Sequence, residues 1–194
     1  GACGDINHID VTAKGRRSAG EIGRLLAETV RGGIANLVAV KKPSLAVRRV
    51  EVKVPLQRYS KEEIEKARRD MELVGSNKLP FLQRVKAYKI MALQLRKTDA
   101  ISLEVQAFRL SPELAIVTLP GEVFVELGLA IKKGSPFRNT LVIELVNDAP
   151  GYIPTRKAFT EGSYETVNSR VQSGGGEAMA EAAIGLLKDL AKSG

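Results

Sequence analysis

The chain is poor in the side chains that staple small folds. It holds one cysteine, Cys3, and one histidine, His8, among 194 residues. A single cysteine excludes an internal disulfide framework, and with no basic neighbour or helix start beside it Cys3 reads as a small packed residue, not a nucleophile. No apolar run approaches the roughly 20 residues that cross a bilayer as a helix. Aromatics are few, five Phe and four Tyr. None alternates with basic residues as a stacking platform for single-stranded nucleic acid requires. No Met opens the chain and no charged-then-apolar segment follows Gly1, so any signal peptide is expected upstream. The opening Gly1-Ala2-Cys3-Gly4 reads as a strand-to-loop turn, and the chain as a fragment of something longer.

What is present is ordinary for a globular protein: 44% hydrophobic and 27% charged residues, in a length that forms one domain, 1–194, with a sizeable core. Lys and Arg outnumber Asp and Glu by 30 to 22, a formal charge of +8. That balance favours polyanions or membrane surfaces as partners. The basic pairs Arg16-Arg17, Lys41-Lys42, Arg48-Arg49, Arg68-Arg69 and Lys132-Lys133 are scattered over several elements, however. This argues for a solvated basic surface and against a nucleic-acid reader.

Helices and strands interleave. Ser18-Ala19-Gly20-Glu21 and Ser60-Lys61-Glu62-Glu63 are capping boxes, each followed by apolar residues at helical spacing (Ile22, Leu25, Leu26, Val30; Ile64, Ala67, Met71, Val74). A third helix is expected from Pro80 with Phe81, Val85, Tyr88, Ala92 and Leu95. A fourth is expected after Gly121, and a last after the triple-glycine loop 174–176, with Met179, Ala183, Leu187 and Leu190 as its buried stripe. Val50, Val52 and Val54 alternate with charged residues as a half-exposed strand does, and Ile101, Leu103, Val105 and Ala107 alternate likewise. The apolar runs 114–119 and 141–146 suit central strands covered on both faces. The expected class is α/β, a mixed β-sheet flanked by helices.

Three positions invite chemistry. Glu122 follows an apolar strand through Thr118-Leu119-Pro120-Gly121 and opens an apolar helix. That is the strand end where α/β proteins place their sites, although a first-turn Glu also complements a helix dipole. Tyr152 sits past the polar turn Asn147-Asp148-Ala149-Pro150-Gly151, and Tyr164 follows twelve residues later in Glu161-Gly162-Ser163-Tyr164-Glu165. On residues alone Tyr152 reads as a packed loop aromatic.

The ordered set Gly4-Asp5-Ile6-Asn7, Leu119-Pro120-Gly121-Glu122, Gly151-Tyr152-Ile153-Pro154-Thr155 and Tyr164 resembles the C-terminal part of the catalytic domain of the neutral (alkaline, non-lysosomal) ceramidases, which are zinc-dependent amide hydrolases. The resemblance implies zinc, with Glu122 and Tyr152 as ligands. Tyr152 stands in the family's Gly-Tyr-Val-x-Thr pattern, and Tyr164 matches its second tyrosine, the oxyanion donor. It also implies attack of a zinc-activated water on an N-acyl amide, typically an N-acyl sphingoid base, and a secreted, periplasmic or membrane-associated protein with peripheral membrane contact. Two further histidine ligands, and the other half of the same domain as a partner, are expected upstream of Gly1. One departure stands out. The family has Gly-Asp-x-Ser-Pro where this chain has Gly4-Asp5-Ile6-Asn7-His8, so Asn7 replaces a serine that takes part in catalysis. An amide orients or donates but accepts no acyl group, which leaves the reaction class intact and the substrate open. His8 near a chain start is usually a surface residue, with ligation the lesser reading. Two rivals remain, a homologue that has lost catalysis and serves as a binding module, and a basic protein that docks on anionic surfaces.

Overall fold

The computed structural model describes residues 1–7, 12, 15–76 and 78–193; His8 lies outside them. In chain order the elements are α1 (Ala19–Ile34), β1 (Ala46–Pro55), α2 (Lys61–Glu72), α3 (Phe81–Gln94), β2 (Ala100–Ser111), β3 (Leu114–Thr118), β4 (Glu122–Val123), α4 (Val125–Gly134), β5 (Asn139–Ile143), β6 (Tyr152–Ile153), α5 (Arg156–Glu161), α6 (Tyr164–Asn168) and α7 (Gly175–Lys192). The interleaving and the mixed sheet make this the α/β architecture expected.

Four strands form the main sheet in the order β1-β2-β3-β5. The first three are antiparallel, and β3 and β5 run parallel, joined through α4. Strand alternation puts Leu103, Val105, Ala107, Val117 and Val142 on one face, where Met179, Ala183, Leu187 and Leu190 of α7 close the core. All are buried, as the period of two on the strands and 3.6 on the helix demands. The sheet's other face carries the row Val47–Phe108–Ile116–Leu141, read across the register. Its outer members stay open, Val47 at 43% and Leu141 at 52% exposure.

Both capping boxes form. Ser18 and Ser60 accept from the backbone of Glu21 and Glu63, whose carboxylates reach back to the cap amides. Other expectations need correction. The apolar stripe of α1 is not covered, and the helix buries none of its residues. Helix α3 turns its Ala87, Lys89 and Ile90 face inward, because it packs on α2 through Ala67, Ile64 and Met71; Phe81, Tyr88 and Leu95 are exposed instead. Strand β5 is an edge strand, not a central one, and ends at Ile143 because the chain turns through Leu145 and Asn147, both at positive φ. Helix α7 begins inside the triple glycine, at Gly175, not after it. Glu122 does not open a helix. It lies on the two-residue strand β4, and α4 starts at Val125.

Candidate functional site

The parallel pair β3 and β5 ends in loops that continue side by side. Leu119 N–H donates to the Ile143 carbonyl (2.9 Å), Val146 N–H to Leu119 (3.1 Å) and Gly121 N–H to Asp148 (3.1 Å). Beyond them the two chains pair again, as β4 and β6, in parallel register. Gly121 makes this approach possible. Its φ is +82°, and a Cβ there would lie 2.7 Å from the Gly151 carbonyl oxygen. The ladder is closed by Glu122 N–H to Gly151 O (3.0 Å) and Phe124 N–H to Ile153 O (3.2 Å).

In that register Glu122 stands directly opposite Tyr152. The two expected metal ligands, thirty residues apart in sequence, are cross-strand neighbours. Tyr164, the first residue of α6, places its ring 5.8 Å from that of Tyr152 in an edge-on contact, and Phe81 of α3 stacks on Tyr164 at 5.7 Å. The phenol of Tyr152 is pushed up to about 12, first by burial and then by the Glu122 carboxylate beside it. Such a pair suits a cation: a carboxylate and a phenol side by side both become good ligands once a dication stands at their oxygens. The donor set therefore fits zinc as far as it goes, and it goes only part of the way. Among the described residues no group of three or more His, Cys, Asp and Glu side chains gathers at metal-binding spacing.

The opening segment docks alongside. Gly4 N–H donates to the Val123 carbonyl (2.8 Å), and a Cβ on Gly4 would lie 2.4 Å from the Glu122 carbonyl oxygen. Asp5 accepts from the Val125 N–H at 2.7 Å, which caps the start of α4 with a carboxylate from outside the helix. Asn7, three residues past Gly4, is exposed. The structure thus brings Glu122, Tyr152 and Tyr164 together and sets the segment carrying Asn7 beside β4.

Sequence reasoning missed two residues. Glu144, just past β5, accepts from Val123 N–H (2.6 Å), Cys3 N–H (3.0 Å) and the Cys3 thiol (2.7 Å), joining the opening segment to β4. Asn168 donates to the Tyr164 hydroxyl at 3.3 Å. Neither stands in a motif. Only the spacing of Asn168, one helical turn after Tyr164, carried a signal. A cleft between α2 and α3, lined by Glu63, Lys66, Asp70 and Lys86, touches none of these residues.

Two solved structures share the fold. A neutral ceramidase from Pseudomonas aeruginosa matches 95% of this chain with a TM-score of 0.58 and 14% identity, over 35% of its own length. A ceramidase complexed with C2 matches 88% of this chain with a TM-score of 0.53 and 14% identity, over 33% of its length. The likeness at that identity is one of fold, and the chain spans about a third of each relative. No family model and no curated protein matches the chain.

Proposed function

We propose that the intact protein is a ceramidase-like hydrolase of N-acyl amides, and that this chain carries half of its active site. The observation that supports this most directly is the register of β4 and β6, which opposes Glu122 and Tyr152 and leaves Tyr164 against them. The shared fold with two ceramidases adds to it.

Glu122 and Tyr152, with two histidines from upstream, would hold a zinc ion, which when bound supplies Lewis-acid polarisation of the carbonyl and activation of water. Tyr164 is the oxyanion donor. Its oxygen receives a hydrogen bond from Asn168, so its own proton is left to point outward, toward charge that develops on the scissile carbonyl. Tyr152, Tyr164 and exposed Phe81 form an aromatic wall along which an acyl or sphingoid chain can lie. Asn7 is a polar group on the substrate side, oriented by the docking of Gly4 and Asp5. The remainder of the domain is the partner, and two uncovered apolar surfaces support a cover of that kind: the sheet row ending in Val47 and Leu141, and the α1 stripe of Leu26, Val30 and Ile34.

Metal analysis and kinetics on the intact protein test the reading. Glu122→Ala is expected to remove zinc and activity together. Tyr164→Phe is expected to keep zinc and to lower kcat about a hundredfold, the effect of one oxyanion donor at ~3 kcal/mol. If Tyr164→Phe raised KM alone, the donor role would fall.

A further inference from the structure

Helix α6, which carries Tyr164, cannot hold itself in place. It is five residues long, a single turn, and isolated helices of that length are unstable in water. Its entry is strained as well. Gly162 has φ +85°, and Ser163, a residue with a Cβ, has φ +92°. Something outside the helix must fix it.

The contacts converge on Gln57, two residues past β1. Its side-chain Nε2 donates to the carbonyl of Ser169 at 2.9 Å and to that of Thr166 at 3.4 Å. These are the carbonyls at the C-terminal end of α6, which a short helix leaves without partners. The other end of the amide is equally committed. Oε1 accepts from the Tyr59 hydroxyl at 2.6 Å and from the Lys89 ammonium at 3.2 Å. With two donors on Oε1 and two carbonyls before Nε2, only one orientation of the amide satisfies all four partners. Ser169 then passes the constraint on: it is fully buried, and its hydroxyl donates to the backbone carbonyl of Tyr152 at 2.9 Å. One glutamine thereby caps the turn that presents Tyr164 and, through Ser169, holds the strand that presents Tyr152.

We infer that Gln57 is a positioning residue for the tyrosine pair, oriented by Tyr59 and Lys89 and acting through the carbonyls of α6. The inference builds on the proposed hydrolase site for its catalytic consequence, while its structural content stands without it.

Two substitutions separate positioning from simple packing. Gln57→Leu removes all four hydrogen bonds. Gln57→Glu keeps the shape and keeps acceptors for Tyr59 and Lys89, but offers the Thr166 and Ser169 carbonyls a carboxylate instead of a donor. If Gln57 served only to satisfy Tyr59 and Lys89, the glutamate would be harmless. If it positions α6, the glutamate is as damaging as the leucine.

Hydrogen–deuterium exchange on the intact protein reads this first. Both variants are expected to lose protection about tenfold or more in a peptide covering 162–170, while peptides from β2 and α7 keep theirs. Kinetics on a fluorogenic N-acyl aminocoumarin follow, with kcat expected to fall at least tenfold in both variants and KM to change less than twofold. Unchanged exchange in 162–170 for Gln57→Glu overturns the inference, and so does loss of protection spread evenly over the protein. Loss confined to 162–170 in a protein whose wild type hydrolyses no N-acyl amide upholds the positioning role and removes the hydrolase reading instead.

Discussion

Glu144 offers the sharpest test of how the site is assembled. Its carboxylate receives three donors, two of them backbone N–H groups from Cys3 and Val123, and Val123 is wholly buried. Glu144→Ala therefore strands a buried amide on the strand that bears Glu122, and it frees the opening segment at Cys3. A hydrogen bond to a charged group contributes about 1.5–3 kcal/mol, and a buried donor left alone costs about 1–3 kcal/mol. The Cys3 donors are exposed and add little, so the expected loss is about 2–3 kcal/mol. For a chain of this size that lowers Tm by roughly 4–12 °C, at ~2–4 °C per kcal/mol.

A second readout is independent of stability. The Cys3 thiol is held above its ordinary value of 9.0, chiefly by its hydrogen bond to Glu144. Removing that acceptor lowers the thiol's pKa, so more thiolate is present at a given pH and reaction with a disulfide reagent speeds up. The sign also fixes a pH window for the wild type. An acid whose folded pKa is raised stabilises the fold below its unfolded value, and that contribution is lost as pH rises above about 9. Thermal unfolding by circular dichroism and a thiol-titration rate at pH 8 are the two assays. A Glu144→Ala protein that melts with the wild type and reacts at the wild-type rate would refute the bridge.

Three further outcomes are expected. Gly4→Ala forces a Cβ to within 2.4 Å of the Glu122 carbonyl oxygen, an overpacking against backbone that costs about 1–3 kcal/mol; differential scanning calorimetry should register it, and a neutral result would mean the opening segment does not lie against β4. Lys89 is buried and its pKa is lowered to about 8, first by burial and then by Lys86. The unfolded state therefore binds more protons between pH 8 and about 10, and stability rises with pH there. The stability of wild type relative to Lys89→Met should accordingly improve over that range by roughly 2–3 kcal/mol, at ~1.4 kcal/mol per pH unit, and urea midpoints that stay parallel across it would show that the lysine is solvated. Thr155→Ala removes the side chain that accepts from Ala158 N–H at 3.2 Å and caps α5; a loss of about 1 kcal/mol in urea unfolding is expected.

The parts of this fold that the chain announces are those set by local chemistry. Ser18 and Ser60 declare their helix starts because a hydroxyl and a carboxylate three residues apart satisfy two amides whatever lies around them. The stripe of α7 is equally plain, since the sheet it covers belongs to the same chain. Where the sequence misled, the missing information was tertiary. Phe81 and Tyr88 mark the apolar spacing of α3, yet α2 packs on Ala87 and Ile90 and Lys89 turns inward, toward Gln57 and Tyr59. The run 141–146 reads as a central strand because an unbroken apolar run suits a strand covered on both faces, whereas β5 is an edge with Leu141 and Ile143 open.

The site divides along the same line. Glu122 could be nominated by its place after a strand end, Tyr152 and Tyr164 only through the resemblance of their motifs to those of the ceramidases, and register then makes neighbours of Glu122 and Tyr152, thirty residues apart. Glu144 and Gln57 could not, because their roles exist only once separate segments meet: the start of the chain with β4, and the end of β1 with α6. A side chain that touches substrate is constrained to a residue type by chemistry and so leaves a motif. A side chain that holds another in place is constrained only by geometry, and several residue types in several positions could do the same. The second set should therefore be the more informative to mutate, since Gln57→Glu and Glu144→Ala act from separate elements on the one strand pair that opposes Glu122 and Tyr152.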